Sequence, residues 1–162
     1  VDTRDDDYTW SQPYMKNRQV VVTLTASGYD GTADLAGKKI GLQAGSTAES
    51  AVKSKEAFYN TVKDSIVLIE NNIMALQELE AGKVDAVVMD SIVADYYATQ
   101  KPGLYKVLSE TLAEEEYGVG FLKGNTELRD LVQGALERLA KDGTLADISN
   151  QWFGSDVTLI GK

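Results

Sequence analysis

The chain has 162 residues, enough for one well-cored domain or one and a half small lobes, and its 43% hydrophobic and 25% charged residues are an ordinary globular balance. It holds no cysteine and no histidine, which excludes disulfides, thiolate metal sites, Ser–His–Asp and Cys–His arrangements and the usual zinc ligand sets. A formal charge of −9 speaks against nucleic acid and anionic membranes, which are bound through clustered Lys and Arg.

In chain order, residues 1–18 are polar and irregular, with an acidic run at Asp5–Asp7 that reads as a solvated loop or, less simply, as a metal site. The chain opens on Val1 rather than Met and carries no signal peptide, so it reads as a processed, trimmed or engineered piece. A strand is predicted over 19–25, where Val20, Val21 and Val22 follow one another. A helical turn over 32–36 and a second strand over 39–43 come next. The following helix, 47–55, carries the pattern of a reciprocal capping box, with Ser46 as cap and Glu49 reaching back. A third strand is predicted over 65–69. Asn72 then caps a helix to Ala81 that turns Ile73, Leu76 and Leu79 to the core and stops at Gly82.

Residues 84–89 form an apolar strand of the sort buried on both faces, and Asp90 opens a helix that Pro102-Gly103 ends by breaking the pattern. Two strands, 105–108 and 117–122, follow. The acidic triplet Glu114–Glu116 between them reads as a loop; consecutive positions splay their side chains, which speaks against paired catalytic carboxylates. The alternation of strand and helix gives an α/β fold with a mostly parallel sheet flanked by helices. Residues 125–141 place Leu128, Leu131, Val132, Ala135, Leu136 and Leu139 on one helical face, and a shorter helix from Thr144 adds Leu145, Ile148 and Trp152 before Gly154.

Ligands collect at the carboxyl ends of strands in open α/β sheets. Gln43-Ala44-Gly45-Ser46-Thr47 joins such an end to a helix N-terminus, where free N–H groups favour an anion; the same residues also serve as an ordinary cap. Asp90 ends the most apolar strand and is either a receptor for an ammonium group or a second cap. Together they describe a receptor for a zwitterion. Arg4 is a fixed cation able to clamp a carboxylate, or a solvated terminal residue.

Read together, these residues resemble the type II extracytoplasmic solute-binding proteins of polar amino acid ABC importers. The likeness rests on Arg4 followed after five residues by Trp10-Ser11-Gln12-Pro13-Tyr14, on Asp34-Leu35-Ala36-Gly37-Lys38-Lys39-Ile40-Gly41 and on Gln43-Ala44-Gly45-Ser46-Thr47-Ala48-Glu49. It continues through residues 75–90, Tyr117-Gly118-Val119-Gly120-Phe121, Asp142-Gly143-Thr144-Leu145 and Gln151-Trp152-Phe153-Gly154.

The resemblance implies two α/β lobes that close on a free amino acid for delivery to the importer's membrane subunits, outside the cytoplasm, in the periplasm or lipid-anchored at the cell surface. It implies no catalysis, cofactor or metal. Arg4, Thr47 and its neighbours Gly45 and Ser46 would hold the α-carboxylate and Asp90 the α-ammonium. Gln43 and Met89 would sit where side-chain selectivity is set, with Tyr117 lining the cleft; Gln43 favours a polar, glutamine-like ligand. Residues 1–18 are expected to be a remnant of the first lobe, 19–122 a complete second lobe, and 123–162 the helices that join the first lobe, the chain being a truncated form. The apolar stripe of those helices is then expected to pair with a second copy, as a homodimer or a swapped pair. The rival readings are a sensor or appendage lobe of a larger enzyme or receptor, and a non-binding fragment that self-associates.

Overall fold

Three consecutive valines begin the core. Val20, Val21 and Val22 are all at most 1% exposed, because a strand with both faces covered needs no polar alternation. They lie on β2 (Met15–Leu24) in a computed structural model that describes residues 7–162. Two compact units are present among these residues. One is Arg18–Glu114, and the other joins residues 7–17 to Glu115–Lys162. The chain passes from one to the other within β2 and within a later strand.

The first of these units is built on a five-stranded sheet. Its other strands are β3 (Ile40–Gln43), β4 (Ile66–Ile69), β5 (Ala86–Asp90) and the long strand Tyr105–Tyr117, which is numbered β6 below. The spatial order is β4-β3-β5-β2-β6. β3 runs parallel to β4 and β5, whereas β2 pairs antiparallel with β5, so the sheet is mixed. Its helices are α1 (Thr47–Ser54), α2 (Glu56–Val62), α3 (Asn72–Glu80) and α4 (Ser91–Gln100).

Period-two alternation sorts the side chains into two cores. Val21, Ile40, Leu42, Ala86 and Val88 pack with Ala48, Ala51 and Val52 of α1 and with Phe58 and Val62 of α2. Val20, Val22, Val87 and Met89 pack on the other face with Ala75, Leu76 and Leu79 of α3 and Ala94 of α4. Glycine at position 41 lets Ile69 and Val84 pack closely, since an added Cβ would stand 3.0 Å from Ile69 Cδ1 and 3.3 Å from Val84 Cγ2 and would push both aside.

The structure corrects several sequence expectations. The helix α2 was not anticipated; Ser54 and Lys55 end one helix and a second starts at once, without a Gly or Pro to mark the break. The cap of α3 is Asn71, whose side chain accepts the Met74 N–H at 2.9 Å, and Ile73 is 53% exposed rather than in the core. Residues 105–117 form one continuous strand instead of two strands around an acidic loop. There Glu115 is held at 2.8 Å by Asn17 Nδ2, a partner remote in sequence. Of the acidic run at Asp5–Asp7, Asp5 and Asp6 lie outside the described residues and Asp7 is exposed in a turn.

The other unit pairs β1 (Tyr8–Trp10), itself too short to recognise from sequence, antiparallel with β7 (Gly120–Leu122). The helices α5 (Thr126–Lys141) and α6 (Thr144–Phe153) complete it. The predicted Thr144 cap is replaced by Gly143, which starts α6 from a left-handed conformation with φ 87°. The C-terminal segment returns to the unit: Leu159 donates its N–H to the Tyr14 carbonyl, and Val157 donates to the buried Ser149 hydroxyl. Asp156 accepts from Lys162 and from the Thr158 hydroxyl and N–H, which hold its carboxyl down at about 2. α5 has no buried residue; Leu128, Leu131 and Leu139 are exposed, as are Ile148 and Trp152 of α6, whereas Val132, Ala135, Leu136 and Leu145 are half-buried.

Candidate functional site

Because β3 and β5 are parallel neighbours, with Leu42 opposite Val88, their carboxyl ends reach the same edge of the sheet. Gln43 ends one and Asp90 ends the other. β2 brings Gln19 to that edge from the opposite direction, directly across from Asp90 in the antiparallel register. By alternation Gln19, Asp90 and Val88 share the face covered by α1.

The turn after β3 is set by Gly45, whose φ of 68° lies in the left-handed region. The Ser46 hydroxyl donates to the Gln43 carbonyl at 2.7 Å, and the Gly45 N–H donates to Glu49 Oε2 at 3.2 Å. The expected capping box is therefore not formed: Ser46 makes no side-chain cap bond, and Glu49 reaches one residue further back than the pattern requires. The Lys53 ammonium, 2.6 Å from Glu49, and then the Gly45 N–H hold that carboxyl below the usual range. Glu49 stays ionised and ties the turn to α1. Gly45 has open space where a Cβ would go, so Gly45→Ala carries only the backbone cost, an expected loss of about 1 kcal/mol in denaturant unfolding.

Asp90 occupies the N-cap position of α4, yet its side chain makes no cap bond. Instead Asp90 Oδ1 accepts from Gln19 Nε2 at 2.8 Å. The same nitrogen donates to Thr47 Oγ1 at 3.0 Å. An amide NH2 has two donors, and these are directed at the two residues singled out by the sequence. The exposed Thr47 and the half-buried Asp90 are thereby brought together, beside the N-terminus of α1 and the exposed Gly45.

The other sequence candidates fall elsewhere. Met89 is 1% exposed and belongs to the core against α3 and α4, on the sheet face opposite Asp90, so a role as a wall for the ligand is corrected to a packing role. Gln43 is half-buried at the same edge, with its side chain alternating away from Leu42. Tyr117 ends β6 in the other unit, where its carbonyl accepts from the Tyr14 N–H at 2.8 Å. Arg4 lies outside the described residues. From the sequence Gln19 is no more than the first residue of a strand. Its signal was the one polar amide heading an apolar run, since a buried amide must find partners.

Among the described residues there is no group of three or more acidic side chains placed to hold a metal, and no helix long and apolar enough to cross a membrane. What the edge offers is a carboxylate for a cation, and a hydroxyl with a helix N-terminus for an anion.

Known proteins share this arrangement of sequence. The L-cystine-binding protein TcyJ of Escherichia coli (strain K12) is 30% identical over 97% of the chain, and TcyA of Bacillus subtilis (strain 168), also L-cystine-binding, is 31% identical over 96%. The chain spans 58% and 56% of their lengths. An ABC uptake transporter substrate-binding protein from Streptococcus pneumoniae with bound histidine superposes with a TM-score of 0.85 at 33% identity, covering 98% of this chain and 66% of that one. An ancestral arginine-binding protein bound to arginine is 38% identical, with a TM-score of 0.75 over 95% of this chain and 68% of its own. The description that matches residues 1–155 is that of the bacterial extracellular solute-binding proteins, family 3, and the chain belongs to that family.

Proposed function

We propose that the chain binds a free L-amino acid as part of an uptake system, and that the edge formed by Gly45–Thr47 and Asp90 grips the zwitterionic end of that ligand. The observation that carries this reading is the Gln19 amide bonded at once to Thr47 Oγ1 and Asp90 Oδ1, which sets a carboxylate beside a hydroxyl and a helix N-terminus. Asp90 takes the α-ammonium; the Thr47 hydroxyl and the N–H groups of the turn take the α-carboxylate. The relatives named for cystine, arginine and histidine support an amino acid as the ligand class. Binding without catalysis is the activity proposed, outside the cytoplasm, in the periplasm or anchored at the cell surface, with the membrane subunits of an ABC importer as recipient. Arg4 and Tyr117 are proposed further contacts on the grounds of the family likeness alone.

For the side chain, Gln43 ends β3 at the same edge, on the sheet face opposite Asp90, and a neutral, hydrogen-bonding ligand such as glutamine that reaches across the edge to it is the proposed preference. Calorimetry of the chain with L-glutamine, L-arginine, L-histidine and L-cystine tests both levels. Heat of binding with glutamine foremost supports both; binding of arginine or cystine with glutamine inert removes the preference and keeps the class; heat with none of the four removes the class.

A second copy of the chain is the proposed partner for the apolar residues of α5 and α6, of which Leu128, Leu131 and Ile148 are each exposed. Light scattering at micromolar concentration is expected to give a dimer, and Leu131→Asp to return it to a monomer. A monomeric wild-type chain contradicts this pairing.

A further inference from the structure

We infer that Gln19 is a positioning residue that fixes both halves of the zwitterion grip; the inference rests on the reading of that edge as an amino-acid site. Gln19 is 1% exposed, so its amide cannot turn to water for hydrogen bonds. Its Nε2 donates at 2.8 Å to Asp90 Oδ1 and at 3.0 Å to Thr47 Oγ1. Two residues from different elements, 43 positions apart in sequence, are thus tied to one nitrogen on a third.

The bond directions also set chemical polarity. Thr47 Oγ1 accepts from Gln19, so its own hydroxyl proton is directed to another acceptor, which a ligand carboxylate supplies. A carboxylate can accept about four hydrogen bonds, and the one from Gln19 fixes the direction in which Asp90 presents its oxygens. Two donors diverging from one planar nitrogen hold their acceptor oxygens roughly 5 Å apart, a span that the two charged ends of an α-amino acid bridge. The backbone adds rigidity, because Gln19 and Asp90 are direct register partners between β2 and β5. A site on rigid elements with locked rotamers loses less freedom when the ligand arrives.

Gln19→Met keeps the length and removes the donors, and an apolar side chain suits a position that is already buried. NMR of the wild-type and variant chains reads the consequence without any ligand. In the wild type, Asp90 is expected to show one large and one small Hα–Hβ coupling, the mark of a single rotamer, and Thr47 a fixed coupling. In Gln19→Met both are expected to average, while the amide shifts of Val22 and Val87 stay in place and report intact pairing of β2 with β5. Affinity for L-glutamine or L-arginine, whichever the wild type binds, is expected to fall about five- to tenfold in the variant, and by less than twofold when Thr47→Val and Asp90→Ala, which remove both acceptors of Gln19, are already present. Fixed couplings in Gln19→Met overturn the positioning role, as does unchanged affinity with averaged couplings. Averaged couplings in a chain whose wild type binds no amino acid would instead remove the function reading and leave the positioning of Asp90 and Thr47 established.

Discussion

Asp90→Asn is expected to weaken amino-acid binding between about tenfold and a hundredfold, the range of a hydrogen bond to a charged group. The substitution isolates the charge. Asparagine keeps an oxygen that can accept from Gln19 Nε2, so the amide bridge and the start of α4 remain as they are. What disappears is the negative charge that would face the ligand's ammonium group at a half-buried position, where screening by water is reduced. Isothermal calorimetry checks the affinity, and an unchanged thermal midpoint checks the fold. If Asp90→Asn binds as tightly as the wild type, Asp90 is not the ammonium receptor.

Leu42→Ala is expected to cost about 2–5 kcal/mol of stability, which is a large part of the 5–15 kcal/mol typical of a folded domain. Leu42 is fully buried on β3, flanked by β4 and β5, and packs in the cluster that α1 and α2 close. Neither neighbouring strand can move in to fill the space, since ladder hydrogen bonds fix each of them to β3. Leu68→Ala is the matched control. It removes the same atoms from β4 at the edge of the same sheet, where Leu68 is 56% exposed, and about 0.5 kcal/mol or less is expected. Urea unfolding followed by circular dichroism separates the two.

The parts of the fold that were legible in the sequence are those governed by short-range pattern. Val20–Val22, the run ending at Met89 and Gly45 in the turn beyond Gln43 announce buried strands and a turn by composition alone. The amphipathic stripe of α5 was equally plain. Other features depend on partners distant in the chain, and pattern does not carry them. Residues 105–117 continue as one strand through the run Glu114–Glu116; one of these, Glu115, is held by Asn17 from 98 positions away. The family resemblance puts Met89 where selectivity is set, and the alternation of the strand sends its side chain to the core opposite Asp90. The site shows the same division. Thr47 and Asp90 were visible as strand-end residues, whereas the role of Gln19 appears only when antiparallel pairing sets β2 against β5.

The most direct test of the zwitterion grip uses the ligand's two charged ends one at a time. Amide shifts of the chain are followed in NMR titrations with L-arginine and with agmatine, the same molecule without its carboxylate. The account predicts that L-arginine moves Gly45, Ser46, Thr47 and Asp90 together, and that agmatine leaves the first three in place. Equal shifts of Gly45–Thr47 with both molecules, or an L-arginine response confined to residues away from this edge, would contradict it.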